Sequence, residues 1–168
     1  MLPGGQPYVQ YSSPSAPGYL AQYILEQVLG LATAAQWQQA CLDATELADS
    51  HIRGRYTLPV VAVGNDVMSR TAAIVYYLVM DRIIGFAAMA GSDRNVRRGY
   101  AEAMGGPDPD NPGFIHPGWF PGIQTQRIHP DITVSPPEPG DPIHDIPQVL
   151  TTPPRGWTNR HARSQRSG

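Results

Sequence analysis

Residues 33–52 read TAAQWQQACLDATELADSHI. Thr33 with Gln36 three positions later has the form of a capping box, in which cap and third residue satisfy each other's backbone donors. Trp37, Cys41, Ala44, Ala48 and Ile52 then recur at steps of four and three, which lines them along one face of a helix. Asp43, Glu46, Asp49 and Arg53 fall elsewhere, and Asp49 to Arg53 is an i,i+4 pair of favourable sign. A long helix with one apolar face needs neighbours of its own kind, so the fold class reads as mainly α.

The neighbouring stretches supply them. Upstream, Leu20, Tyr23, Ile24, Val28 and Leu31 keep helical spacing, with Gln27 the exception, and predict a helix over Leu20 to Leu29 stopped by Gly30. Downstream, Gly54 to Pro59 ends the long helix, because Pro59 biases Leu58 away from helical angles. Val60 to Val63 reads as a short extended segment. A third helix is expected to start at Asn65 as cap, with Asp66 at the positive end of its dipole, and to run toward Ile84. Val67, Thr71, Ile74, Val75, Leu78 and Val79 form its core face. Tyr76, Tyr77 and Met80 make the other face apolar too, so it is buried on more than one side. One of those sides can be a subunit contact. A fourth helix spans Asp93 to Met104 behind a Ser92 cap, ends at Gly105-Gly106-Pro107, and carries a basic face of Arg94, Arg97 and Arg98. That face is either solvated or paired with acids of a neighbour.

Proline sets the limits of this four-helix bundle. Of 18 prolines, only Pro59 lies between Tyr19 and Met104. Proline lacks the backbone donor and clashes inside a helix. The expected organisation is therefore an extended N-terminal arm (1–18), a helical domain (19–104), a proline-rich extended arm (105–154) and an arginine-rich tip (155–168). Ile123 to Val134 has enough alternation for a short β-hairpin around His129-Pro130-Asp131. A domain as small as 19–104 is only marginally stable alone, so self-association would help it.

All 12 basic side chains are arginine, and the net charge of −2 excludes a polycation seeking nucleic acid. Residues 105–154 hold six acids and only Arg127, whereas the tip has Arg155, Arg160, Arg163 and Arg166 with no acid. Such a tip can attract an acidic protein groove or phosphate. Cys41 is the sole cysteine, which excludes an intrachain disulfide and reads as a small buried hydrophobe. The start lacks a basic stretch followed by an apolar run, so no secretory signal is expected. Asp81 and Arg82 interrupt the most apolar stretch, Ala72 to Ala90, which argues for a buried helix rather than a membrane span.

Catalytic patterns are missing. There is no phosphate loop, dinucleotide fingerprint or nucleophile elbow. Ile115-His116-Pro117, Ile128-His129-Pro130 and Ile143-His144-Asp145 recur, and three imidazoles could bind zinc if their loops met. Their spacing fits no compact ligand signature; isoleucine filling a pocket while His-Pro bends the chain is the simpler reading. Asp108 and Asp110 lack the rest of a calcium loop and read as turn residues. Trp157 among arginines could stack a base while the charges take phosphate. That leaves a nucleic-acid-binding module as the alternative function.

Ala44 to Pro59, with its small-residue helix face followed by Arg55-Tyr56-Thr57-Leu58-Pro59, resembles the head–tail connector proteins of tailed phages, closest to the head-completion family of Mu-like prophages. Arg70-Thr71-Ala72-Ala73-Ile74-Val75-Tyr76-Tyr77-Leu78 and Tyr100-Ala101-Glu102-Ala103 follow in the same order. The resemblance covers Tyr19 to Met104, and Arg55, Tyr56, Leu58 and Pro59 carry its motif. It departs after Ala103, where Gly105-Gly106 follows directly and the arm is unusually long.

What the resemblance implies is a structural protein and not an enzyme, without cofactor or metal. It implies a ring of twelve copies beneath the portal, extending the DNA channel and offering a docking site to a stopper or tail-completion protein. Genomic DNA would pass without sequence-specific contact. The place implied is the virion neck, with synthesis in the host cytoplasm and no membrane. Subunit contacts are expected at Tyr76, Tyr77, Met80, Arg94, Arg97 and Arg98. Arg155, Trp157, Arg160, Arg163 and Arg166 are expected to dock on portal acids or to line a path near DNA.

Overall fold

The computed structural model describes residues 1–11, 18–24, 26–85 and 93–134, with backbone only for residues 26, 27 and 93. The expected cap at Ser92 and everything expected of residues 135–168 lie outside the described residues. Helices α1 (Glu26–Leu29), α2 (Ala34–Ile52), α3 (Asn65–Val79), α4 (Asp93–Met104) and α5 (Trp119–Gln124) are joined by two small antiparallel ladders. One pairs β1 (Val60–Val63) with β4 (Ile132–Val134); the other pairs β2 (Gly106–Pro107) with β3 (Ile115–His116). The chain is mainly helical, as its pattern requires.

α2 and α4 flank the central α3, and α5 closes against α2 and α4. The capping box at Thr33 forms in full: its hydroxyl accepts from the Gln36 amide, and the Gln36 side chain accepts from the Thr33 amide at 2.8 Å. Trp37 is fully buried, and its indole donates to the Leu29 carbonyl at 2.8 Å, tying α1 to α2. Truncating such a side chain costs about 3–5 kcal/mol. Cys41, Ala44, Ala48 and Ile52 lie buried on the same face.

α3 is buried along both sides through Val67, Thr71, Ala72, Ile74, Val75, Leu78 and Val79. Its cap is Gly64, one residue before the expected Asn65, whose side-chain oxygen instead accepts from the Tyr23 phenol at 2.7 Å. A Cβ on Gly64 would lie 2.6 Å from the Asp131 side chain, so the chain can close there only without one. The Gly64 amide donates to the Asp131 carbonyl at 2.7 Å, and the Asp131 amide donates to Asp66 at 3.2 Å. These bonds fasten β4 to the start of α3. Beyond Val79 the helix widens into a π-helical turn, Met80–Ile84, and Gly85 stops it at φ 79°.

Several expectations are corrected. The first helix divides into a 3₁₀ turn at Leu20–Gln22 and the short α1. The amide of Leu20 is drawn to the Gln10 carbonyl, so the turn starts from a bridge between the N-terminal segment and Tyr19. Neither arm is simply extended where it is described. Tyr8 and Val9 lie in the core beside α2, and the compact unit runs from Met1 to Ser135. Residues 105–134 fold onto the helices because Phe120 and Ile123 are fully buried anchors and Trp119 and Ile128 pack beside them. Pro121 sits in the first turn of α5, where a missing donor costs nothing. The expected hairpin around His129-Pro130-Asp131 does not form. Residues 119–124 are helical, and Ile132–Val134 pairs with β1 instead. The hairpin of this region is β2–β3.

Candidate assembly surface

The Arg-Tyr-x-Leu-Pro element follows α2 and holds the returning chain. Arg55 donates to the Ile128 carbonyl at 3.0 Å and lies 2.7 Å from the His129 ring nitrogen. Its guanidinium sits 5.5 Å from the centre of the Tyr56 ring, within cation–π range. Tyr56 and Leu58 pack against the core, while Pro59 is exposed after a cis peptide bond. The element thus positions the 125–131 segment. Of the paired Ile-His-Pro motifs, Ile128 fills space over Gly122, where a Cβ would lie 2.7 Å from it, whereas Ile115 stands 71% exposed.

A second construction follows α4. Gly105 and Gly118 turn the chain at φ 89° and 78°. A Cβ on Gly118 would stand 2.6 Å from the Gly105 amide nitrogen, so backbone passes backbone there. Between them β2 and β3 form a two-rung ribbon with Gly106 opposite His116. Asp108 caps its tip: one carboxylate oxygen accepts from the amides of Asp110 and Asn111 at 2.7 and 3.1 Å. The other lies 2.8 Å from His116 Nε2. That histidine hydrogen bond holds the Asp108 carboxyl below its usual range, and Arg98 adds to the effect.

The basic face of α4 meets this acidic tip. Arg98 pairs closely with Asp110, and Arg94 approaches the same carboxylate at 3.8 Å. Arg70 and Glu102 bridge α3 and α4 at 2.8 Å. Beside the ribbon, Tyr77 and Tyr100 stack with centroids 4.0 Å apart. Burial, with Tyr77 alongside, raises the Tyr100 phenol. Tyr77, Arg97, Tyr100, Pro107, Pro109 and Pro112 line an open groove of about 320 Å³. Phe114 and Ile115 project from the neighbouring ribbon, 48% and 71% exposed.

The structure therefore brings together Tyr77, Arg94, Arg97 and Arg98 from the expected subunit-contact set. Tyr76 is half-buried on α3. Met80 is fully buried and fills the chain's own core, so it has no surface to offer a neighbour. Arg155, Trp157, Arg160, Arg163 and Arg166 lie outside the described residues, as does His144. His116 is engaged with Asp108 and His129 with Arg55, and no group of metal-binding side chains occurs among the described residues. Burial pushes the Cys41 thiol up to about 12, consistent with a packing role. Among the described residues, no helix is long and apolar enough to cross a membrane. Sequence reasoning missed the groove, although its parts were visible: Pro107, Pro109 and Pro112 beside two tyrosines at helical positions.

A protein-family model, bacteriophage Mu Gp36, matches residues 17–105. No curated protein and no solved structure matches the chain. The matched span runs from Pro17 through α4 to Gly105, so it takes in α1 to α4 and the Arg55 element, and stops where the ribbon begins. The departure noted after Ala103 falls at that edge. On this match over more than half its length, the chain is a Mu-like phage protein and belongs to the bacteriophage Mu Gp36 family.

Proposed function

We propose that this chain is a structural head–tail connector, or adaptor, of a tailed phage or phage-like particle. In this reading it forms a ring beneath the portal, extends the DNA channel and gives the stopper or tail-completion protein its docking site. The family match across the helical body carries the reading, because it ties α1 to α4 to a phage protein. The exposed ribbon and the groove beside α4 give that body a face suited to contact between copies. The arginine tip, Arg155 with Trp157, Arg160, Arg163 and Arg166, then anchors on portal acids.

Native mass measurement of the full chain, alone and with portal, tests the ring. A closed multiple of the chain mass is expected, and a strict monomer under both conditions overturns the reading. Deleting residues 155–168 tests the anchor: heads that still join tails and retain DNA would show that the tip does not hold the neck. DNA binding by the full chain that is lost with the tip and falls steeply with salt would favour a nucleic-acid-binding module instead.

A further inference from the structure

Arg55 is held by two acceptors of different kinds. Its Nη1 donates to the Ile128 carbonyl at 3.0 Å, an acceptor at any pH. Its Nη2 lies 2.7 Å from Nδ1 of His129, a group that can gain a proton. A guanidinium has five N–H donors and no acceptor, and it stays protonated throughout. The bond therefore forms only where Nδ1 offers a lone pair. In this closed geometry His129 is neutral, with its proton on Nε2. A proton on Nδ1 would set donor against donor and positive charge against positive charge.

His129 is exposed, so protons reach it freely. From the turn after α2 it meets Arg55, whose guanidinium also sits over the Tyr56 ring. From the start of α3 comes Asp66, which accepts from the Asp131 amide. On its own segment Arg127 and Asp131 flank it, two positions away on either side. Carboxyl groups ordinarily titrate well below the histidine range.

What closes on the end of α2 is the turn 125–129. The Arg127 and Ile128 amides both donate to the Gly122 carbonyl, at 2.9 and 3.1 Å. Gln126 holds a φ of 59°, a conformation that a side chain disfavours, so the turn draws on outside support. Beyond it Pro130 is buried, and the Gly64 and Asp131 bonds hold β4 independently. Loss of the His129 contact can loosen 125–129 without unpairing β1 from β4.

His116 works in the opposite sense. Its Nε2 lies 2.8 Å from an Asp108 carboxylate oxygen, beside the Asp110 carboxylate that holds Arg98 and Arg94. A proton added to His116 turns that hydrogen bond into a charge-assisted pair. One acid step weakens the first contact and strengthens the second.

We infer that Arg55 and His129 form an acid-released latch on the 125–129 turn, closed while His129 is neutral and open once it is protonated. The open turn binds one proton more than the closed one, so falling pH favours opening. The change belongs to the range where histidine ordinarily titrates, about pH 7.5 to 5.5. Such a device goes beyond the connector reading and needs only the single chain.

Amide exchange of the full chain, corrected for its intrinsic pH dependence, tests the latch. Protection at Arg127 and Ile128 should fall about threefold across that range, the size expected of an exposed charge contact. Protection at Asp110 and Asn111, whose amides Asp108 holds, should not fall. His129→Gln keeps an acceptor for Arg55 and cannot titrate, so it should retain the closed-state protection and abolish the response. An equal response in the variant and the unaltered chain overturns the inference. So does constant protection in the unaltered chain, which would mean that protonated His129 turns to Asp66 or Asp131 instead. The ring-nitrogen chemical shifts of His129 at the upper end of the range give a second check: a proton on Nδ1 rather than Nε2 would refute the closed geometry.

Discussion

Asp49 shows how one side chain can refute a pattern while explaining it. It is only 5% exposed, on α2 between small buried residues. A carboxylate in that position needs donors, since an unpaired buried charge costs several kcal/mol, on the order of the values for isolated ions. The Tyr8 phenol and the Met1 amino group both hydrogen-bond it. The Tyr8 amide donates to the Thr45 hydroxyl at 3.1 Å, one turn earlier on the same helix. Burial first, and the Asp49 hydrogen bond second, push the Tyr8 phenol well above its ordinary value, so it remains a donor across the whole neutral range. The helical spacing had paired Asp49 with Arg53, which is exposed. Periodicity along one helix cannot reveal a segment that arrives from outside it and widens the buried face. The clue was Tyr8-Val9, two bulky residues set in glycine and proline. Tyr8→Phe removes a donor from a buried carboxylate and should lower stability by about 1–3 kcal/mol. A shift of the urea midpoint measures it. In an Asp49→Asn background the same substitution should cost much less, and equal costs in both backgrounds would dissociate the pair.

Among the elements, those whose information is local were legible. α2, α4 and β1 occupy the expected spans because the sequence signals for each lie within or next to it: the Thr33 capping box and apolar stripe of α2, the Gly105-Gly106-Pro107 stop of α4, and the valine run of β1. α5 and β4 were not legible, because each depends on distant partners. α5 is six residues, too short to stand without Phe120 and Ile123 in the core. β4 has three residues and exists through β1 and the Asp66–Asp131 contacts. Proline counting misled for the same reason: prolines exclude long helices but not short pieces that place each ring at a turn, in a short edge strand or within the first turn of a helix. Arg55 is the link that makes this distant folding possible. Its two bonds reach across more than seventy positions to Ile128 and His129. Arg55→Ala should release the 125–131 segment and speed exchange of the Ile128 amide by about tenfold, while α2 core amides keep their protection. Arg55→Lys, with one donor group in place of a fork, should fall between. Unchanged exchange at Ile128 would mean that Gly122, whose carbonyl accepts from that amide, suffices.

Among the described residues, the body is helical and residues 119–134 return to α2 and β1. The arginine motif was legible as a family mark, but its role as the clamp on that return was not, because the partner atoms are backbone. The surface chemistry was half legible. The arginines of α4 were visible, yet Asp110, the acid that meets both Arg94 and Arg98, belongs to a turn in the same chain. Under the proposed connector role, the β1–β4 ladder has a mechanical meaning. Tension on the chain beyond Val134 pulls β4 along its own length from the Val60 end, while α3 retains β1 from the Val63 end. The strands are then loaded in shear, across hydrogen bonds that lie perpendicular to the pull, so the rungs share the force and do not open one by one. Single-molecule stretching through residue 168 and an internal handle on α3 should show one rupture for the ladder rather than a graded unzipping. Asp131→Pro, which deletes the amide bonded to Asp66, should lower that rupture force. Val134 would then be the point where such a pull enters the fold, and the three-residue ladder would set the load at which it gives way.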